Sequence, residues 1–337
     1  MRALRHRMAD DKCYCRPRRI VLVRHGESEG NVDAKKYCHI ADPKIRLTEA
    51  GTVQAQRCGQ IIREIIGKEV GEGGEGWRVF FYVSPYMRTL STLKEIGKAF
   101  EKQQIEGVRE EPRIREQDFG NFQEHDQMQA VKDIRERFGR FFYRFPEGES
   151  VADVFDRVTS FLESLWRDIE HQRLSCTKSK EMNLVIISHG TTMRVFLMRW
   201  FRWTTEQFEN LINPLECEVR VMQLGDGGEY SLLVHHTQEE LQQWGLSPDM
   251  ILDQEFRKTA TRGEYSEEWP WSGTQFFDHF NETEAGGGND ERDGDNGAAQ
   301  ENTNGESTDA QTPLDMLALE ESADGDREPD FPNPASR

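Results

Sequence analysis

Apolar positions along the chain form short continuous runs that alternate with longer stripes at helical spacing. Continuous aliphatic runs, such as "RIVLVR" and "LVIIS", are typical of strands buried on both faces of a parallel sheet. Two later runs are joined by the turn "GDGGE", which favours an antiparallel hairpin. The predicted strands cover residues 19–25, 77–85, 112–122 (a short strand passing into a loop), 184–190, 217–224 and 230–236.

The helical stripes lie between these strands and begin at residues that favour helix starts. Thr48 is a good N-cap for a first long helix, and Ser150 caps a second one with Asp153 at the capping-box position. The apolar face of the first helix is predicted to consist of Cys58, Ile61, Ile62, Ile65 and Ile66. Other helices are predicted at 86–100, 126–144 (a charged insertion) and 191–201. This alternation predicts an α/β fold, a three-layer α/β/α sandwich with a mostly parallel central sheet and an antiparallel edge.

The acidity of the chain is concentrated near its C-terminus. The net charge is −18, and residues 282–337 hold 16 Asp and Glu against 3 Lys and Arg. This segment has almost no aromatic residues and cannot bury enough apolar surface to order itself. We predict a basic extension at 1–16, a folded domain at 17–255 and an acidic, largely disordered tail at 256–337. A tail of this charge argues against binding to nucleic acid and suits a protein partner.

Cysteine usage and apolar run lengths predict where the protein resides. The cysteines at positions 13, 15, 38, 58, 176 and 217 show no zinc-like spacing. Such a pattern is typical of a reduced intracellular protein, and the basic N-terminus lacks the apolar core of a secretory signal. No run approaches the roughly 20 apolar residues of a membrane-spanning helix. We therefore expect a cytoplasmic protein with no membrane span.

Polar and charged side chains follow four of the predicted strand regions at the point where each ends. They are Arg24 and His25, Ser84 and Arg88, Arg115 and Glu116, and Ser188 and His189. In open α/β sheets, ligands bind beyond the carboxyl ends of the strands, so these groups should converge at one edge. Gly26 and Gly190 follow the two histidines and would allow the backbone to approach a ligand closely.

This set of side chains points to phosphate chemistry. Arginine and histidine cluster in one pocket only if an anion fills it, and the guanidinium fork matches phosphate oxygens. The sequence has no P-loop and no pair of Asp residues typical of a magnesium site, so no metal or cofactor is expected. A phosphoryl group can instead move onto His25, whose ring nitrogen is a competent nucleophile. Arg24, Arg88 and His189 would then stabilise the transferring group, and Glu116 would protonate the leaving alkoxide.

Five segments carry a resemblance to a known family. The segments "RHGES", "SPYMRT", "IREQDFG", "PEGES" and "SHG", in this order, resemble the histidine phosphatase superfamily. The resemblance covers about residues 17–240 and is strongest to the phosphoglycerate-mutase-like branch, in particular to plant and fungal phosphoglycerate-mutase-like proteins regarded as phosphatases. It implies the phosphoglycerate-mutase-like fold and makes 17–255 the catalytic domain.

The resemblance also implies the roles of individual residues. His25 would become a phosphohistidine, and Glu116 would donate a proton in the first step and activate water in the second. The substrate, a small phosphorylated molecule, would be bound by Arg24, Ser28, Asn31, Arg88, His189, Gly190 and Thr191. Burial beside a phosphate dianion raises the pKa of a carboxyl group. Because Glu116 must be protonated to act as the acid, we expect faster turnover at mildly acidic pH.

Two departures from the mutase pattern favour a phosphatase over a mutase. Family mutases carry "ERHYG", whereas Glu116 is followed by Gln-Asp-Phe-Gly, which resembles the phosphatases. The basic residues of the insertion at 126–144 also do not align with the mutase substrate loop. We predict a metal-independent phosphatase, with a phosphoglycerate mutase and a non-enzymatic phosphate-binding adaptor acting through the tail as alternatives. Asp118 is the alternative proton donor.

Overall fold

The computed structural model describes residues 16–68, 76–120, 125–171, 173–174 and 181–263. Most of the predicted N-terminal extension and residues 264–337 of the predicted acidic tail lie outside the described residues. The predicted domain boundary at 255 falls inside a helix that ends at Thr259. Within the described ranges, no helix is long and apolar enough to span a membrane.

Strands of the described residues form one mixed sheet, as predicted. They are β1 (Arg19–Arg24), β2 (Trp77–Val83), β3 (Ile105–Glu110), β4 (Glu181–Ser188), β5 (Val219–Leu224) and β6 (Tyr230–Ser231). Their order across the sheet is β3-β2-β4-β1-β5-β6. The first four in this order pair in parallel, whereas β5 runs antiparallel to β1 and β6 antiparallel to β5. The antiparallel edge is the predicted hairpin.

Helices cover both faces of the sheet. The α-helices are α1 (Glu29–Val32), α2 (Glu49–Gly67), α3 (Met87–Gly97), α4 (His125–Phe138), α5 (Val151–Glu170), α6 (Gly190–Phe201), α7 (Thr205–Glu209), α8 (Gln238–Gln243) and α9 (Pro248–Thr259). Short 3-10 turns lie at Ala34–Cys38, Asp42–Lys44, Lys102–Gln104 and Pro112–Ile114. The start of α5 is as predicted, because the Asp153 carboxylate accepts hydrogen bonds from the Ser150 backbone N–H (2.7 Å) and hydroxyl (2.6 Å).

Two apolar cores separate the three layers. Alternate β1 residues face opposite sides of the sheet: Ile20 and Leu22 pack under α5 and α6, whereas Val21 and Val23 pack under α2 and α3. The strands β1, β2, β4 and β5 therefore contribute to both cores, which explains the continuous aliphatic sequences of β1 and β4. The three-layer α/β/α sandwich predicted from the sequence is confirmed.

Several local predictions were wrong. The helix predicted at 126–144 ends at Phe138, and the strand predicted at 230–236 ends at Ser231. Residues 112–122 do not begin with a strand, because Pro112–Ile114 forms a 3-10 turn and the edge strand lies earlier, at Ile105–Glu110. Its sequence, "IEGVRE", is partly exposed at the edge of the sheet, so it lacks a strong apolar pattern. On α2, Ile61 is 40% exposed and lies outside the buried face formed by Cys58, Ile62 and Ile66.

Candidate active site

The carboxyl ends of three parallel strands lie level with one another. Arg24 of β1 pairs with Ser188 of β4, and Val83 of β2 pairs with Ile187 of β4. The backbone ladder continues one residue further, since the N–H of His25 donates to the Ser188 carbonyl at 3.1 Å. Because β4 lies between β1 and β2, residues that follow the three strands meet at one edge of the sheet.

His25 is held in a single tautomer by two neighbours. Its side chain is buried, and its Nδ1 lies 2.8 Å from the carbonyl oxygen of Gly26. The Nε–H of Arg88 donates to Nε2 at 3.2 Å. Arginine can only donate, so Nε2 is the acceptor and the ring proton lies on Nδ1, where it bonds to the Gly26 carbonyl. The Nε2 atom therefore presents a lone pair inside the site.

Burial and neighbouring positive charge keep His25 neutral. Desolvation lowers its pKa well below the usual value, and the charge of Arg88 lowers it further. The hydrogen bond to Gly26 opposes this shift. Both effects favour the uncharged imidazole, which is the form that can act as a nucleophile.

His189 lies beside His25, as the sequence predicts. Its ring centroid is 5.2 Å from that of His25 and 5.1 Å from that of Tyr86. Its Nε2 is 2.8 Å from the hydroxyl oxygen of Ser84, the first residue after β2. The pKa of His189 is lowered by burial first, and then by Arg88 and His25. Within the described residues, Nδ1 of His189 has no hydrogen-bond partner.

Arg88 is buried at the start of α3 and pairs with a carboxylate that no motif indicated. Its guanidinium donates from Nη1 to Asp42 Oδ1 at 2.6 Å and to the Asp42 carbonyl at 2.9 Å. It also lies 4.9 Å from the centre of the Tyr86 ring. Asp42 therefore supplies the anion that a buried arginine needs in this state of the protein.

Arg24 forms the second cationic group at the edge of the sheet. Its Nη1 donates to the carbonyl of Pro214 at 2.6 Å, and its Nη2 lies 3.2 Å from Glu216 Oε1. The Arg24 side chain is 16% exposed, compared with 2% for Arg88. It therefore lies nearer to solvent and is held by the loop before β5.

Glu116 lies in the loop after Pro112–Ile114, within electrostatic range of the cationic groups. Its pKa is raised chiefly by burial. The backbone N–H of Gln117, which donates to Oε1 at 3.0 Å, and the charge of Arg88 oppose the shift, whereas Asp42 adds to it. A carboxyl group with a raised pKa retains its proton to a higher pH, as a general acid requires.

The loop that carries Glu116 is fixed by the "PEGES" segment and α5. Arg157 of α5 donates to the carbonyl of Glu116 at 3.0 Å and to the carbonyl of Arg115 at 2.9 Å. The carboxylate of Glu149 pairs with Arg157 at 3.0 Å and accepts the backbone N–H of Asp118 at 3.0 Å. Glu149 also pairs with Arg115, so Arg115 belongs to this support.

Ser28 and Asn31, which are predicted to bind the substrate, bond to each other. The hydroxyl of Ser28 donates to Asn31 Oδ1 at 2.7 Å, and the backbone N–H of Ser28 donates to the same oxygen at 3.0 Å. Ser28 also forms a side-chain hydrogen bond with Tyr37, whose charged neighbours include Arg88, Asp42 and Glu116. Tyr37 is thus a further group near the site that the sequence motifs do not indicate.

The glycines that follow the histidines are packed against protein atoms. A Cβ on Gly26 would lie 2.6 Å from the carbonyl oxygen of Gly51, so glycine is needed for α2 to approach β1. A Cβ on Gly190 would lie 2.9 Å from Asn213 Oδ1. Thr191 follows in the first turn of α6 and is buried.

Taken together, two buried histidines and a buried arginine lie side by side at the carboxyl ends of the strands. In the described part of the chain, no three His, Cys, Asp or Glu side chains lie close enough to hold a metal ion. The fold and the site define an α/β protein that can bind a phosphoryl group next to an unprotonated histidine nitrogen.

Comparisons with known proteins agree with this class. The family model of the histidine phosphatase superfamily (branch 1) matches residues 20–237. The chain is 60% identical over 264 residues to Phosphoglycerate mutase-like protein AT74 of Arabidopsis thaliana, covering 78% of this chain and 83% of that protein. It is 33% identical over 292 residues to Broad-range acid phosphatase DET1 of Saccharomyces cerevisiae, covering 63% and 86% of the two chains. The chain therefore belongs to the histidine phosphatase superfamily and is an enzyme of the histidine phosphatase type.

Solved structures that resemble this chain are more distant in sequence. One is a mycobacterial glucosyl-3-phosphoglycerate phosphatase in complex with VO3, with a TM-score of 0.47 and 20% sequence identity. The match covers 61% of this chain and 91% of that one.

Proposed function

We propose that the protein hydrolyses phosphomonoesters through a phosphohistidine on His25. The observation that carries this proposal is the state of the His25 ring, with Nδ1–H bonded to the Gly26 carbonyl and Nε2 left with a lone pair beside Arg88. The 33% identity to a broad-range acid phosphatase supports the same activity.

The reaction proceeds in two displacements. In the first, the lone pair of His25 Nε2 attacks phosphorus, the ester P–O bond breaks, and Glu116 gives its proton to the leaving alkoxide. In the second, the Glu116 carboxylate takes a proton from water, the resulting hydroxide attacks phosphorus, and the P–N bond breaks. Inorganic phosphate leaves, and His25 and Glu116 return to their starting protonation states.

The groups around His25 stabilise the charge on the transferring phosphoryl group. Arg24 and Arg88 donate to its equatorial oxygens, and the Nδ1 atom of His189, which has no partner among the described residues, supplies a third donor. Ser28, Asn31, Gly190 and Thr191 line the phosphate position. Arg88 must release the lone pair of His25 Nε2 and exchange its contact with Asp42 for the incoming phosphate, since Asp42 and phosphate are anions that bind the same guanidinium.

Products of turnover distinguish a phosphatase from a mutase. We expect the protein to release inorganic phosphate from a panel of sugar, aryl and carboxylic-acid phosphomonoesters. We expect no interconversion of 2- and 3-phosphoglycerate in a coupled assay, since the Gln-Asp-Phe-Gly sequence after Glu116 departs from the mutase pattern. Interconversion faster than phosphate release would identify a mutase. The absence of both activities would favour a phosphate-binding adaptor.

The contact between Asp42 and Arg88 predicts a gain in phosphate affinity on mutation. In Asp42→Asn, the buried Arg88 loses its anionic partner, so inorganic phosphate should inhibit turnover roughly tenfold more strongly. The same change removes a negative charge that raises the pKa of Glu116, so the alkaline limb of the kcat profile should move to lower pH. Asp156→Asn, on the exposed surface of α5, is the matched control. Unchanged or weaker inhibition by phosphate would contradict this account of Asp42.

A further inference from the structure

A cavity of about 580 Å³ lies away from the candidate active site, between α5, the C-terminal end of α6 and α9. His189 precedes the first turn of α6, whereas Arg199 and Trp200 of the cavity wall lie in its last turn. At 1.5 Å per residue, this separates the cavity from His189 by roughly 15 Å along the helix. The volume is in the range of pockets that hold small molecules.

One wall of the cavity is aromatic. The rings of Trp166 and Trp200 stack at 5.0 Å with 24° between their planes, and Tyr230 meets Trp200 edge-on at 5.4 Å. The guanidinium of Arg16 lies 5.7 Å from the centre of the Trp166 ring and donates to the Gly228 carbonyl at 2.6 Å. The stack therefore fixes a cation at the edge of an apolar wall.

Arginines dominate the charge of this cavity. They are Arg16, Arg199, Arg202, Arg257 and Arg262. Across the part of the chain that the structure describes, no hydrogen bond or ion pair is formed by the side chains of Arg202 and Arg262, which are exposed. The pKa of Arg16 is lowered first by burial and then by the charge of Arg262. Arg16 and Arg262 therefore repel each other, and an anionic ligand would relieve that repulsion.

The acidic residues of the cavity do not cancel this charge. Arg257 binds Asp253 at 2.7 Å and lies 3.7 Å from Glu229, so one arginine is shared by two carboxylates. Burial raises the pKa of Asp253, and its contact with Arg257 opposes that shift. Glu163 is the remaining acid of the wall and is exposed. An excess of positive charge is thus built into one pocket of a chain whose net charge is −18.

We propose that this cavity is a second ligand site, which binds a small molecule carrying a di- or triphosphate group next to an apolar ring, the chemistry of a nucleoside di- or triphosphate. Arg16, Arg202 and Arg262 hold the phosphates, since they are separate cations that a single phosphate cannot satisfy together. The ring of the ligand packs against the apolar wall beside Trp166 and Phe256. The site is independent of the reaction at His25.

Calorimetric titration of the full chain tests this site. We would use the His25→Ala variant, so that no ligand is consumed, with inorganic phosphate at saturation to occupy the active site. We expect ATP to bind with one-to-one stoichiometry, and inorganic triphosphate to bind the same site more weakly because it lacks the ring. Arg202→Ala and Arg262→Ala should each weaken both ligands by roughly tenfold.

Matched variants decide between the outcomes. Arg57→Ala removes an exposed arginine from α2, on the opposite face of the sheet, and should leave ATP binding unchanged. Circular dichroism and thermal melting establish that each variant is folded. The proposal is overturned if ATP does not bind, if Arg202→Ala and Arg262→Ala bind it as the parent does, or if Arg57→Ala weakens it equally. If inorganic triphosphate bound as tightly as ATP, the proposed contact between the ring of the ligand and the apolar wall would be overturned.

Discussion

Replacing His25 by alanine should lower kcat for every phosphomonoester that the protein hydrolyses by at least roughly 10⁴-fold. The variant lacks the ring nitrogen that accepts the phosphoryl group, and removing a nucleophile typically costs a factor of this size or more. Steady-state phosphate release, measured on wild type and variant at the same pH, gives the ratio. Thermal melting of both proteins shows whether the loss occurs in a folded variant.

A second histidine variant serves as the control for this prediction. His171 lies at the end of α5, is exposed, and bonds through Nδ1 to the carbonyl of Arg167 at 2.8 Å. His171→Ala should keep the wild-type rate. A His25→Ala variant that retains activity within tenfold of wild type would show that the nucleophile is another group.

Replacing Glu116 by glutamine should lower kcat by roughly 10²- to 10⁴-fold for alkyl phosphates, the range expected for a general acid–base residue. The leaving alkoxide is then expelled without a proton, and water is no longer activated in the second step. An aryl phosphate whose phenol leaves readily as an anion does not need this proton. Its kcat/KM, which reports the first step, should therefore fall much less. Equal losses for the two kinds of leaving group would contradict the role of Glu116 as proton donor.

The same variant should change the pH profile. The first step requires neutral His25 and protonated Glu116. The lowered pKa of His25 keeps the neutral form present as pH falls, and the raised pKa of Glu116 keeps the proton present as pH rises. Activity should therefore be highest at mildly acidic pH and decline as pH rises through the pKa of Glu116. In Glu116→Gln that decline should disappear, whereas in Glu110→Gln, an exposed residue of β3, it should remain. A wild-type optimum well above neutrality would contradict the assignment.

Strand ends explain why much of the site can be predicted from the sequence. Each buried strand is visible as an aliphatic run, and the side chain that follows it must lie at the carboxyl edge of a parallel sheet. His25 and His189 satisfy this rule, and Arg88 follows one turn into the helix after β2. The contacts among them follow from the strand order, with β4 between β1 and β2.

Residues that reach the site from loops cannot be predicted in this way. Asp42 and Tyr37 lie in the segment between β1 and α2, where no periodic pattern fixes the backbone, so their contacts with Arg88 and Ser28 depend on tertiary packing. The sequence indicates a role for Arg157 only weakly, because Arg157 is one of several charged residues on the long helix that follows "PEGES". Its hydrogen bonds to the Glu116 loop emerge only once α5 is placed on the sheet.

Trapping the phosphorylated protein tests the phosphohistidine most directly. Wild-type protein and Glu116→Gln, in which hydrolysis of the intermediate should be slow, would be mixed with radiolabelled 4-nitrophenyl phosphate and quenched in alkali. We expect label that survives alkali, is released by acid, and maps by peptide mass spectrometry to His25, with none in His25→Ala. Turnover without such label in either protein, or label on a different residue, would contradict the account.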